Sequence, residues 1–386
     1  MIDLDANATT AMLPEVVAAM MPWLSGHHAN PSASYREGKL ARRAIDDARA
    51  QVAELISAAP EEIIFTGSGT ESVNTALHSL DQLTGEGAAV VSAIEHSAVL
   101  KYVARFARPV SHVNVDSTGR IDLGAFKAAT ESASFASVMM ANNETGVLQP
   151  IDKLLDISRE KGLPFHTDAI QAVGKIRVSV KDIPVDMLSM SAHKFHGMKG
   201  IGALYVRSGL DFSPLLSGGG QEAGRRSGTE NTAAIVAMGK AAELTKQALD
   251  SGLSSKLAGI RDAFEAHLLS ELQGCVRNGD EKLRLPNTSH LSFDGCDAAG
   301  MLILLDQAGV ACSAGSACMT GKREPSHVQL AMGISAARAK TSLRFGFSRE
   351  NTLEEARQAA DLVIKSANKL RSVQGGGVGP VAIYSD

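Results

Sequence analysis

An α/β fold, with a mostly parallel sheet between helices and a smaller α+β unit behind it, is predicted by three features of this sequence. Short apolar runs of strand length alternate with helical segments as far as about residue 206. Several of these runs stop abruptly at a polar or charged group, as parallel strands do where they hand over to loops. Beyond a long helical stretch, Ala233 to Leu272, the pattern changes to short strands and helices of α+β type. The chain has 386 residues, enough for one large and one smaller core. The expected division is 14–255 for the large domain, with 1–13 and 256–386 forming the small one.

Taken in order, Leu13 to Leu24 has helical apolar spacing with Pro14 in the first turn. His27 to Ser32 reads as a loop around Asn-Pro, and Lys39 to Ala58 as an amphipathic helix. Glu62 to Phe65 reads as a strand, Thr66 to Thr70 as a loop and Glu71 onward as a helix. A Gly/Ser/Thr loop before a helix is a ready phosphate cradle, because free N–H groups and the helix dipole both favour an anion. It matches neither the Walker loop nor the dinucleotide glycine motif. Ala88 to Ala93 is a strand ending near His96, which suits stacking on a flat ring, moving a proton or simply capping the next helix. Phe135 to Met140 is another, followed by Asn142 and Asn143 in an exposed turn, either as turn chemistry or as a grip on a carboxylate or ring oxygen.

The stretch from Pro164 to Gly200 carries the most chemistry. Phe165 to Asp168 ends on a carboxylate with Gln171 close behind, and Met187 to Ser191 runs into His193 and Lys194. Ligands of open α/β sheets sit outside the carboxyl ends of strands, so Asp168 and Lys194 are expected to face one pocket. An acid and a lysine so placed meet the needs of pyridoxal phosphate: the amine holds the aldehyde, and the carboxylate keeps the ring nitrogen protonated. An ordinary ion pair at the sheet rim is the alternative. His193 and His196 could also bind metal, but no acidic third ligand stands at metalloprotease spacing.

Gly202 to Val206 reads as an antiparallel or edge strand, and Gly218 to Thr229 as a glycine-rich loop ending in basic residues, able to reach an anion in this subunit or a neighbour. In the second domain, Ser289 to Phe293 and Thr341 to Phe347 read as strands. Arg344 is there a candidate carboxylate clamp or half of a structural ion pair. Of the four cysteines, Cys275, Cys296 and Cys312 read as small buried hydrophobes. Cys318 lies among small residues, with Lys322 and Arg323 near enough to favour a thiolate.

Composition limits the alternatives. A net charge of −4 and 21% charged residues give no electrostatic reason to expect nucleic acid or an anionic membrane as partner. The acidic N-terminus lacks a signal pattern, no apolar run approaches membrane-spanning length, and no C-x-x-C pair suggests structural zinc. A cytoplasmic chain with reduced thiols is expected.

Together the motifs Asn-Pro-Ser, Gly-Thr-Glu-Ser, Glu-His, Asn-Asn-Glu-Thr-Gly, His-Thr-Asp-Ala-x-Gln, Ser-x-His-Lys, Arg-Ser-Gly-Thr-Glu-Asn, Gly-Ser-Ala-Cys and Glu-Pro-Ser-His-Val resemble those of cysteine desulfurases. These are fold-type I pyridoxal-phosphate enzymes of the class V aminotransferase group, and the likeness runs from Leu4 to about Arg371. It implies a seven-stranded, mostly parallel sheet, a homodimer, and L-cysteine as substrate. It implies Lys194 as the Schiff-base lysine, Asp168 as the pyridinium partner, Gln171 on the ring hydroxyl and His96 stacked on the ring as a proton shuttle. It further implies Gly69, Thr70, Ser191 and His193 around the phosphate, with Thr229 arriving from the partner subunit. Asn143 and Arg344 would place the substrate, Asn143 also bordering the cofactor, and Cys318 would be the nucleophile that becomes a persulfide. No metal is required for catalysis, with Cys318 as a transient iron–sulfur ligand left open, and the sulfur would pass to an iron–sulfur scaffold or another acceptor. An ordinary class V aminotransferase, a selenocysteine lyase and a non-catalytic scaffold are the competing readings. The chain departs from the family at Ala6, where asparagine is usual, and lacks the longer scaffold-docking tail of some members.

Overall fold

The structure is a computed structural model that describes residues 1–314 and 325–374, the last two as backbone only. It begins with a two-residue strand, β1 (Ile2–Asp3), then α1 (Pro14–Ser25) and α2 (Arg36–Leu55). A regular alternation follows: β2 (Ile63–Thr66), α3 (Gly69–Leu83), β3 (Ala88–Ser92), α4 (Ser97–Val103), β4 (Val110–Val113), α5 (Leu123–Thr130), β5 (Ala133–Ser137), α6 (Ile151–Glu160), β6 (Phe165–Asp168), β7 (Met187–Ser191) and β8 (Gly202–Val206). These seven strands, β2 to β8, form one sheet in the order β2-β8-β7-β6-β5-β3-β4. Only β8 runs against its neighbours. It pairs on both sides, so the strand expected as antiparallel or edge is antiparallel and interior.

Burial on both faces explains the sequence pattern. Every residue of β2, β3, β6, β7 and β8 is buried, which is why β2, β3, β7 and β8 read as largely apolar runs rather than alternating ones. In β6 the buried His166 and Thr167 are hydrogen-bonded inside instead. Half-exposed β4 has no such run and carried no strand signal. The expected helix at 39–58 sits three residues earlier, at Arg36–Leu55.

The long stretch expected as one helix is two, α7 (Thr232–Asp250) and α8 (Leu253–Glu271). Gly252 breaks it by taking a left-handed φ of +89°, a conformation that costs glycine little. Beyond the break come β9 (Cys275–Arg277), β10 (Thr288–Phe293), α9 (Ala298–Gln307), β11 (Val310–Ala311), α10 (His327–Ala331), α11 (Ala336–Ala339), β12 (Ser342–Gly346) and α12 (Leu353–Gln374). Here β12-β10-β9 make an antiparallel sheet. Phe264, Phe293, Phe345 and Phe347 fill a second core, with the Phe264 and Phe345 rings 4.9 Å apart.

Residues 1–13 belong to both cores. β1 pairs in parallel with β11, and Ile2 and Leu4 pack in the second core, whereas Leu13 packs in the first. The peptide between them therefore crosses the seam where the two cores meet.

Candidate active site

The sheet order turns back between β3 and β5, and open α/β sheets bind ligands outside the strand carboxyl ends at such a point. The polar groups that follow those ends line a single cavity of about 840 Å³. His96 comes from the end of β3, Asn143 from the segment after β5, Asp168 and Gln171 from β6, and Ser191, His193 and Lys194 from β7. Gly69 and Thr70 begin α3 at its mouth, and Arg344 enters from β12. Every site residue expected from the sequence is thus brought together except two. Thr229 is exposed and does not line its own chain's cavity. Cys318 lies outside the described residues, as do Lys322 and Arg323.

Lys194 ends a short 3-10 turn, Ala192–Lys194. Its Nζ donates to the carbonyls of Asn7 (2.6 Å) and Ala8 (2.8 Å). The turn is held from several sides. Thr10 Oγ1 donates to His193 O at 3.0 Å and accepts from His196 N at 2.7 Å. His196 has φ +66°, a left-handed strain that persists only where surrounding bonds over-determine it.

Asp168 is buried, and Ile170 N donates to its Oδ1 at 3.0 Å. Burial raises its pKa to about 6, countered in part by that Ile170 hydrogen bond and then by the charge of the Lys194 amine. Gln171 Nε2 donates to Asn7 O at 3.0 Å, whereas its buried Oε1 has no hydrogen-bond partner. A buried acceptor without a donor costs free energy, so a ligand bearing a hydroxyl there would complete it. At the mouth of the cavity Ser68 caps α3 through Glu71 N, and the first-turn N–H groups of Gly69 and Thr70 have no partner within the helix. Carboxylate, lysine, orphaned amide and anion cradle together fit pyridoxal phosphate, and the volume suits such a ligand with a small amino acid.

His96 proves to be both a cap and a cavity residue. Its Nδ1 accepts from Ala98 N at 3.1 Å, which leaves Nε2 as the protonated nitrogen of the neutral ring. Burial first, then the charges of Lys194 and His327, lowers its pKa to about 4. His193 is lowered to about 4 by burial and then by Lys194, Lys175 and Lys199, and its Nδ1 lies 3.2 Å from Thr9 Oγ1. Asn142 is fully buried rather than in an exposed turn, and its Oδ1 accepts from Glu144 N and Thr145 N, so it is turn chemistry. Only Asn143 faces the cavity.

Arg344 is 1% exposed. Its Nη1 donates to Asn143 O at 2.9 Å and its Nη2 pairs with Asp5 Oδ1 at 2.8 Å, so the structural ion pair weighed against a substrate clamp is present. Among the described cysteines, burial pushes Cys275 and Cys312 up to about 12 and raises Cys296, so none is a thiolate at neutral pH. Only Cys296 is fully buried, Cys275 and Cys312 being partly so.

Several groups at the site were given no role by the sequence, even where they lie within its motifs. The Asn7 and Ala8 carbonyls receive Lys194 and Gln171 through backbone atoms, which any residue supplies. Glu144, Ser326 and His327 also line the cavity. Ser326 Oγ donates to Glu144 Oε2 at 2.5 Å and His327 Nε2 donates to Glu95 O at 3.0 Å. Glu95 itself is fully buried, with its pKa well above the usual carboxylate range because of burial.

Asn7 is fixed by Asn287 Nδ2, which donates to its Oδ1 at 3.0 Å, and by its own Nδ2, which donates to Thr288 Oγ1 at 2.9 Å. Gly346 lies against it: a methyl group there would overlap the Asn7 side chain and stand 2.8 Å from Asn7 N. Gly346→Ala is expected to destabilise the protein by about 1–3 kcal/mol, read as a lower urea midpoint. Activity should fall further than stability accounts for, because the shift displaces the carbonyls that hold Lys194 and Gln171.

Three comparisons bear on this geometry. The model of the family described as aminotransferase class-V matches residues 2–358. A cysteine desulfurase of Rhodobacter capsulatus is 44% identical over 96% of this chain and 98% of its own. A solved structure described as a NifS-like protein superposes with TM-score 0.87 at 31% identity, covering 97% of this chain and 99% of that one. Another, described as SspA in complex with cysteine, gives 0.80 at 32% identity over 91% and 100%.

Proposed function

We propose, from the premise that this chain belongs to the aminotransferase class-V family, that it is a pyridoxal-phosphate-dependent cysteine desulfurase. It converts L-cysteine to L-alanine and moves the sulfur onto an enzyme thiol. The observation that carries this reading is the convergence of an amine, a buried carboxylate and a helix-start anion cradle in one cavity.

Asp168 would meet the cofactor's ring nitrogen, Gln171 its ring hydroxyl, and Gly69, Thr70, Ser191 and His193 its phosphate. When bound, pyridoxal phosphate supplies an aldehyde for amine attachment and a ring that accepts the electrons of a broken α-carbon bond. Lys194 Nζ both carries the cofactor and moves the α-proton, which requires the amine to leave and rejoin its partners at Asn7 and Ala8. Neutral His96, with Nδ1 occupied, holds its exchangeable proton at Nε2. Asn143 and Arg344 orient the substrate carboxylate, Arg344 sharing its guanidinium with Asp5.

In the sulfur step the carbon–sulfur bond of cysteine breaks and a sulfur–sulfur bond forms at Cys318. The net products are alanine and a Cys318 persulfide, with atoms and electrons balanced and no oxidant needed. An iron–sulfur scaffold or another acceptor takes the sulfur onward in the cytoplasm, and Cys318 is then open to transient iron–sulfur ligation. Among the described residues no helix is long and apolar enough to cross a membrane. The exposure of Thr229 outside its own cavity supports a homodimer in which it reaches the partner's phosphate site. The two separate apolar cores support a large domain over 14–255, with 1–13 and 256–386 forming the small one.

The test is release of alanine and sulfide from L-cysteine plus a reductant, for wild type beside Cys318→Ala. Equal amounts of both from wild type, and neither from a variant that stays yellow, is the expected result. A yellow wild type that releases neither product would leave an aminotransferase or a selenocysteine lyase.

A further inference from the structure

Beneath the Lys194 turn lies a second lysine that the reaction above does not use. Lys175 follows Gly174, whose φ of +87° turns the chain inward against Phe195. Lys175 is 4% exposed, and its Nζ donates to Lys194 O at 2.5 Å. Lysine is almost never buried unless paired. Here no carboxylate pairs with it among the described residues, and the groups around it are cationic or neutral. Lys194, His193 and His196 face it from the turn, and Arg349 from the segment after β12. The helices packed nearby contribute Thr245, Leu253 and Leu257 to the same small cavity, and Ser254 Oγ holds the Lys175 carbonyl at 2.7 Å.

Such a lysine is costly to bury, and stability alone would be served as well by an apolar side chain of similar length. Two consequences of its position concern the reaction. The hydrogen bond grips the carbonyl of the residue that carries the cofactor, on the turn already strained at His196. The charge, where present, opposes a second charge on the Lys194 amine, since electrostatic coupling between two groups acts equally on both. Burial and Lys194 together lower the Lys175 pKa to about 7, so its charge changes in the physiological range.

We propose that Lys175 is a positioning residue for Lys194: its amine clamps the Lys194 carbonyl below the strained turn, and its charge keeps the Lys194 nitrogen low in proton affinity and ready to act as a base. The inference rests on the desulfurase reading for its effect on turnover, but not for its effect on the bound cofactor.

The experiment uses the full chain loaded with pyridoxal phosphate and needs no substrate for its main readout. The visible absorbance of the lysine-bound cofactor is titrated against pH in wild type, Lys175→Met, Lys175→Gln and Lys175→Arg, and turnover of L-cysteine is then measured. Loss of the charge should move the titration midpoint upward by about one unit in the Met and Gln variants. Gln, a neutral donor, separates charge from clamp, and should keep more of kcat than Met, which falls about tenfold with KM little changed. Arg keeps both charge and donor and should restore the wild-type midpoint. A folded, cofactor-loaded Met or Gln variant with an unmoved midpoint overturns the proposal, and so does an Arg variant whose midpoint follows Met. If Met does not fold, the Gln and Arg midpoints decide in the same directions. A wild type that titrates as described but releases no alanine overturns the desulfurase reading and leaves this one standing. A wild type that binds no cofactor overturns both.

Discussion

Lys194→Ala is expected to lower alanine release from L-cysteine by at least about 10³-fold and to abolish the yellow colour of the purified protein. The fold should survive. The Lys194 side chain ends on two backbone carbonyls, Asn7 O and Ala8 O, at the edge of a cavity roomy enough for water to replace it. Circular dichroism close to that of wild type, with the colour and products gone, is the expected outcome. Turnover within tenfold of wild type would remove Lys194 from the chemistry. It would also withdraw the reason for Lys175 to sit where it does.

Asp168→Asn should separate activity from stability, with opposite signs. The carboxylate is buried beside one backbone donor, and its folded pKa is raised to about 6 from a reference of 3.8. A raised carboxylate contributes stability that is fully present below the unfolded pKa and is lost as pH rises through the folded value. Above about pH 6 the cofactor-free wild type therefore carries the full cost of burying that charge, up to about 3 kcal/mol. Asparagine keeps the shape and the acceptor for Ile170 N without the charge. The cofactor-free variant should be more stable than wild type at pH 7 and no more stable near pH 4, as measured by urea denaturation at the two values. Its turnover should nonetheless fall by about 10²–10³-fold, because a neutral amide cannot hold a proton on the ring nitrogen. Equal stability at both pH values would mean that Asp168 is not strained by burial.

Much of this was legible in the sequence because of how parallel sheets are built. Strands buried on both faces stand out as apolar runs, and the polar residue that ends each run is where a ligand binds. Asp168, Lys194, His96 and the Gly69–Thr70 cradle were raised as candidates that way and all line the cavity, whereas the choice among their alternative roles came from the family resemblance. What was missed fails that condition. The carbonyls of Asn7 and Ala8 are backbone atoms with no residue signature, and the Ser326–Glu144 bond joins positions 182 apart. Lys175 sits in the stretch that drew most attention, but nothing local distinguishes a lysine that turns inward from one on a solvated surface. The break at Gly252 was hidden because apolar residues resume at once in α8 with the spacing of a helix. The break depends on one dihedral angle.

The crossing of the seam by residues 1–13 has a consequence for biosynthesis. Asn7 is made well before its side-chain partner Asn287, 280 positions later, and Asp5 waits 339 positions for Arg344. Closing a loop of that length must be accomplished before its contacts contribute anything, which makes such pairings late. The large sheet can form while the leading segment is still undocked, so the nascent chain would pass through a stage with its strands in place and its lysine unheld. Catalytic competence is then set by strands made long after the lysine itself, and cofactor capture becomes a report that β10 and β12 have been made and have closed on the leading segment.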